Sequence, residues 1–222
     1  MKLTISATPL RICKKITVLI ASICCCVMTY AAELQLKVSD AQGQPITDVV
    51  AALVPEQKPV FNQPLLASID QHNKMFTPAI MAIRTNTLVK FPNSDDIRHH
   101  VYSFSPAKKF ELRLYHGMTA EPVLFDKPGT VVLGCNIHDS MVAYIFVVDT
   151  EYYALSDAQG NVNIQAPAGK YRLQIFHSRL TTSAPEIPVA LSDNKPLQQQ
   201  VKLENLASEK NEKASDEFSG LF

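Results

Sequence analysis

Gly129-Thr130-Val131-Val132-Leu133-Gly134 and Val142-Ala143-Tyr144-Ile145-Phe146-Val147-Val148 flank the stretch Cys135-Asn136-Ile137-His138-Asp139-Ser140-Met141. Both apolar runs read as strands, being short and rich in valine and aromatic residues. On a tight connection between neighbouring strands, cysteine, histidine and methionine at intervals of three and three gather a thiolate, an imidazole and a thioether around one point. That is a soft donor set suited to copper. A copper site built on one cysteine and a pair of histidines needs a second imidazole, and the earlier segment 90–102 supplies one at His99 or His100. The rest of the chain reads as the scaffold that brings the two segments together.

The 222 residues, 46% of them hydrophobic, suit one or two packed domains. Lys2, Arg11, Lys14 and Lys15 precede the apolar segment 16–28, and Thr29 and Ala31 are small residues at the minus-three and minus-one positions of a cleavage site. Residues 1–31 therefore read as a secretory signal peptide, with the periplasm as destination. The apolar run is shorter than the roughly 18 residues of a spanning helix, so no stable membrane insertion is expected after cleavage.

Export changes the cysteine arithmetic. Cys13, Cys24, Cys25 and Cys26 lie in the signal, leaving Cys135 alone. A secreted chain with one cysteine has no internal disulfide framework, so this thiol is buried, paired between chains or bound to metal. Ile23 before Cys24 does not fit a lipoprotein signal. The signal also holds four basic residues and no acidic ones; taking those four from 21 leaves 17 basic against 21 acidic residues, a net charge near −4. Nothing in that balance recommends nucleic acid or an anionic membrane as a partner.

The remainder reads as all-β. Residues 34–39 alternate apolar and polar, and a valine-rich strand is expected over 46–54. Pro55, Pro59 and Pro64 mark a linker or edge passage, because proline supplies no ladder donor. Short strands separated by turns follow over 69–78, 79–83, 87–91, 99–103, 110–115, 123–125, 131–133 and 142–148, the pattern of a Greek-key sandwich. Further strands are expected at 162–164, 171–176 and 200–203, with a turn over 154–160. The strands before 55 are too few to stand alone, and those after 150 could complete them. The expected organisation is an accessory sandwich in two parts, 32–64 and 150–206, interrupted by a copper-binding domain over 65–149 and followed by a flexible tail over 207–222, whose Leu221 and Phe222 offer a docking tip.

In the candidate site Cys135, His138 and one of His99 and His100 would form three short equatorial bonds, with Met141 as a weak axial sulfur. The two adjacent histidines face opposite sides of a regular strand, so one of them reaches the metal. Singly, each residue has a plainer use: a buried thiol, a core methionine, a structural histidine. It is their joint spacing that points to a metal. His72, His116 and His177 read as isolated groups, Lys108 and Lys109 as solvated surface, and Asp95, Asp96 and Asn93 as turn-capping residues before the histidine pair.

With those residues in view, the 65–149 segment resembles the cupredoxins, the small blue copper proteins. Its Cys-x-x-His-x-x-Met loop is similar to that of amicyanin, and Phe91-Pro92-Asn93-Ser94-Asp95 followed by His99-His100-Val101 is similar to the family run ending in His-Asn-Val. The resemblance implies one type 1 copper ion held by His99, Cys135, His138 and Met141. His100 then stands where the family has asparagine, and Asp139 where amicyanin-like loops often have proline. Asp139 keeps an N–H that could point to the Cys135 sulfur. The longer blocks 99–117, 133–145 and 167–171 resemble exported bacterial proteins called methylamine utilization proteins. The outer fragments, with Gly43-Gln44-Pro45-Ile46 and Ser156-Asp157-Ala158-Gln159-Gly160, resemble the carboxypeptidase regulatory-like sandwich.

The implied function is a soluble periplasmic electron carrier, not an enzyme, exchanging single electrons with a redox protein such as a c-type cytochrome or a periplasmic oxidoreductase. The alternatives are copper storage or delivery, and a non-redox interaction module. The chain carries no Gly-rich phosphate loop, no C-x-x-C pair and no c-type haem attachment motif.

Overall fold

A computed structural model describes residues 32–117, 121–193 and 195–208, so the signal peptide expected over 1–31 and most of the expected tail, from 209 onward and with Leu221 and Phe222, lie outside the described residues. Strands β1 (Ala32–Asp40) and β2 (Val50–Pro55) come first, then β3 (Leu65–Ser68), β4 (Asp70–His72), β5 (Met75–Thr77), β6 (Ile80–Arg84) and β7 (Thr87–Lys90). The middle of the chain supplies β8 (His99–Ser103), β9 (Phe110–Tyr115), β10 (Val123–Phe125), β11 (Gly129–Cys135) and β12 (His138–Val148). Five more follow: β13 (Tyr153–Leu155), β14 (Asn161–Ala166), β15 (Gly169–Phe176), β16 (Ile187–Leu191) and β17 (Leu197–Leu203). No helix among the described residues is long and apolar enough to cross a membrane.

Alternation decides the first strand. Leu34, Leu36 and Val38 are buried while Lys37 points outward, and β1 lies between β14, antiparallel, and β17, parallel. A second sheet in the order β13-β2-β15-β16 closes over it. Leu34, Leu53, Leu173 and Ile164 fill the space between the two layers. β2 is apolar on both faces because it is covered on both faces. Val49, Ala51 and Leu53 turn toward that core, whereas Val50 and Ala52 pack against Phe146 and Val148 of β12.

The expected strand over 46–54 begins only at Val50. Asp48 adopts φ 60, outside the strand region, and the Ser156 hydroxyl replaces the missing ladder by accepting from the Val49 N–H and donating to the Ile46 carbonyl, at 2.9 and 2.8 Å. In the 32–64 and 150–206 segments, two strands depart from the sequence expectation by addition. β13 occupies the start of the segment expected to be a turn, and β16 contains Pro188, which is tolerated because β16 pairs on one side only, with β15.

Residues 65–148 form two further sheets, β10-β7-β3 and β6-β12-β11-β8-β9, with the β4-β5 hairpin beside them. The fold is all-β, and these sheets make a β-sandwich. Phe91, Phe125, Leu133 and Ile145 are fully or almost fully buried between them, each stabilising the fold by about 1.5–3 kcal/mol relative to exposure. Cys135 and Met141 belong to that same core cluster, at its edge in the chain where β11 turns into β12.

Candidate metal centre

The β11-β12 hairpin is regular from Gly129 opposite Val147 up to Gly134 opposite Val142, and then the register breaks, with Cys135 opposite His138. The break leaves Asp139, Ser140 and Met141 without partners across the ladder. A bulge of this kind re-aims side chains that strict alternation would send to fixed faces. Here it leaves Cys135 and Met141 3% and 1% exposed in the core, and His138 half-buried beside them.

β8 runs antiparallel to β11, with Val101 opposite Cys135 and Tyr102 opposite Gly134. A Cβ at position 134 would fall 2.8 Å from the end of the Tyr102 ring, so a side chain there would displace that ring. The pairing brings His99 to the sulfur. His99 Nδ1 lies 3.7 Å from Cys135 Sγ, and His138 Nδ1 lies 3.8 Å from it. Among the described residues, these three form the His/Cys/Asp/Glu group whose donor atoms all fall within 4.8 Å of one another. His100 faces elsewhere, with Nε2 3.1 Å from Glu111 Oε1 but without a formed hydrogen bond, and its ring against Tyr102.

This donor set fits a metal ion. Bonds of about 2.0 Å to nitrogen and about 2.3 Å to sulfur, about 120° apart, would separate sulfur from nitrogen by about 3.7 Å. Met141 lies in the same buried cluster as Cys135, where its thioether would complete the set of soft donors. The contacts made by the Cys135 sulfur are with the two imidazoles, and the N–H of exposed Asp139 is not among them.

The loop ahead of His99 is built by buried side chains. Asn93 donates through Nδ2 to the carbonyls of Ile97 and Tyr115 at 2.8 and 2.9 Å, and accepts from the Asp95 N–H at 3.1 Å. Gln71 donates to the Pro92 carbonyl at 2.9 Å and to the Tyr115 hydroxyl, which in turn donates to the Phe91 carbonyl at 2.6 Å. Sequence reasoning assigned Asp95 to turn capping, and the structure adds a contact with His99 Nε2 at 2.7 Å. His72, expected to be isolated, lies 4.0 Å from the same carboxylate. The available signal was an aspartate four residues ahead of a candidate ligand, which is common enough in turns to pass unnoticed.

Burial pushes the Tyr115 phenol up to about 12; the Gln71 hydrogen bond works against this, and the nearby Cys135 and Asp70 charges add to it. Because the folded value lies above the ordinary one near 10, the neutral phenol contributes stability that is complete below about pH 10 and lost as pH rises through about 12. Tyr115→Phe is expected to flatten the alkaline fall in stability, at a cost of about 1 kcal/mol at neutral pH for the lost hydrogen bonds. Denaturation midpoints measured from about pH 9 to about pH 12 check this, and an unchanged slope in the phenylalanine variant would assign the fall to another group.

No protein-family model matches the chain, and no curated protein matches it. Solved structures do. A purple cupredoxin from Nitrosopumilus maritimus is 19% identical over 36% of this chain and 98% of its own, with a TM-score of 0.33. A copper-containing nitrite reductase from Thermus scotoductus is 21% identical over 52% of this chain but only 28% of its own, with a TM-score of 0.36. An amicyanin variant in its reduced Cu(I) form is 16% identical over 44% of this chain and 97% of its own, with a TM-score of 0.33. These overlaps are partial and their scores low; the chemistry rests on the donor set.

Proposed function

We propose that the chain is an exported type 1 copper protein that passes single electrons between redox partners. The observation that carries this reading is the convergence of two imidazole nitrogens on one buried sulfur at 3.7 and 3.8 Å. Copper bound there would supply a one-electron change between Cu(II) and Cu(I). The protein's part is to hold His99, Cys135, His138 and Met141 so that neither oxidation state requires rearrangement. His99 and Cys135 are closed to water, whereas His138 is half-buried and flanked by exposed Asn136, Ile137 and Asp139, so its ring is the route by which an electron reaches the surface.

With four protein donors the centre leaves no position for a substrate, which supports a carrier without enzymatic activity. The 65–149 segment holds the metal, and the 32–64 and 150–206 segments form an accessory sandwich; the hydrogen bonding of β1 to β14 and β17, and of β2 to β13 and β15, supports that division. The signal-like residues 1–31 and the resemblance to exported methylamine utilization proteins support a periplasmic location, and one-electron copper chemistry there would suit a c-type cytochrome or oxidoreductase as partner. Reconstitution with one equivalent of copper is expected to give a reversible Cu(II)/Cu(I) couple, with the metal retained against a chelator over many redox cycles. Rapid loss of copper to the chelator in either oxidation state would instead favour storage or delivery.

A further inference from the structure

The Asp95 carboxylate does more than cap a turn. One of its oxygens, Oδ1, accepts from the Asn73 N–H at 2.6 Å; the other, Oδ2, accepts from the Lys74 N–H at 2.9 Å and lies 2.7 Å from His99 Nε2. Asn73 and Lys74 are consecutive residues with φ 54 and 58, the turn joining β4 to β5, and this left-handed pair aims both N–H groups at one anion. The Asp95 side chain is only 11% exposed and that of His99 is closed to solvent. Two backbone N–H groups thus donate into one carboxylate, which holds it in its accepting, ionised form.

An ionised carboxylate can only accept, so the hydrogen between Asp95 and His99 belongs to the ring. From the clamp formed by the β4-β5 turn, Asp95 and His99, we infer that Asp95 is a positioning residue that fixes His99 as the Nε2–H tautomer and tunes the metal held at its Nδ1. This rests on the copper reading above. The free Nδ1 lone pair then faces the Cys135 sulfur across 3.7 Å, on the side where a metal would sit. A carboxylate hydrogen-bonded to the far nitrogen makes the imidazole a stronger donor, which favours the more highly charged Cu(II) over Cu(I) and lowers the reduction potential. The β4-β5 hairpin thereby acts on the metal without supplying a ligand to it.

The test has two arms. In the metal-free wild-type protein, histidine-selective nitrogen NMR is expected to show His99 protonated at Nε2 and not at Nδ1, with the Nε2 proton shifted downfield by the carboxylate. This measurement needs no variant and no copper; protonation at Nδ1 instead would overturn the assignment. In the copper-loaded protein, Asp95→Asn is expected to weaken Cu(II) binding by about 10- to 100-fold. The reduction potential should rise by about 59 mV for each tenfold loss of Cu(II) affinity relative to Cu(I). Asp96→Asn removes the same charge from an exposed neighbour and is the control. If Asp95→Asn raises the potential no more than Asp96→Asn does, the contact does not tune the metal and the inference fails. Failure of the wild-type protein to bind copper would instead strike the proposed function, and the tautomer would still decide whether Asp95 positions His99.

Discussion

Cys135→Ser is expected to abolish the intense visible thiolate-to-Cu(II) band of the copper-loaded protein and to reduce copper affinity by more than about 100-fold, beyond what loss of an outer partner costs. A thiol gives up its proton to a metal at neutral pH, whereas a serine hydroxyl does not. The substitution also replaces a polarisable sulfur by a hard oxygen that copper binds less well in this set. Cys135 is 3% exposed and serine is close to it in shape, so the fold should persist, which far-ultraviolet circular dichroism can check. His99→Ala should also bleach the band, because His99 Nδ1 is one of the two nitrogens facing the sulfur. His100→Ala should leave the colour intact, since that ring packs on Tyr102 and reaches Glu111. A serine variant that kept both colour and one copper per chain would place the site elsewhere, and bleaching by His100→Ala alone would exchange the two histidines.

Gly160→Ala is expected to destabilise the protein by about 3 kcal/mol, through left-handed strain and a backbone collision. Gly160 has φ +75, and its carbonyl accepts from the Val38 N–H at 2.8 Å, tying the turn before β14 to β1. An added Cβ would lie 2.3 Å from the Val38 carbonyl oxygen and 3.3 Å from the Ile46 nitrogen. Neither atom is the end of a flexible side chain, so the strand itself must move. Gly43 is the matched control: its φ is +81, yet nothing lies within 4 Å of where its Cβ would stand. Gly43→Ala should therefore cost only the conformational part, about 1 kcal/mol. Chemical denaturation of the two variants should separate them by about 2 kcal/mol, and equal losses would show that the close approach relaxes freely.

Much of the strand content was legible because a half-buried strand writes its orientation into alternating residues, as Leu34, Leu36 and Val38 do in β1. The apolar runs on either side of Cys135 were as clear. The donor types were legible too, because Cys135, His138 and Met141 lie within seven residues, a span that a tight hairpin closes whatever the rest of the chain does. Less visible were elements whose neighbours decide them. β16 carries Pro188 and exists because β15 supplies its one partner. The start of β2 depends on a hydroxyl from Ser156, more than a hundred residues away.

By itself, then, the sequence determined an all-β chain and a soft donor set with two candidate histidines upstream. Only the tertiary structure decided that His99, not His100, lies beside the sulfur, because alternation places adjacent residues on opposite faces without saying which face of the sheet carries the Cys135 sulfur. Only it joined Asp95 to His99 and to the turn at Asn73 and Lys74. Those contacts span about twenty residues of chain on one side and one turn on the other, and no local pattern specifies them. Spacing along the chain encodes which groups can meet within a hairpin, whereas the strand order of the sheets sets which distant groups are pressed against them.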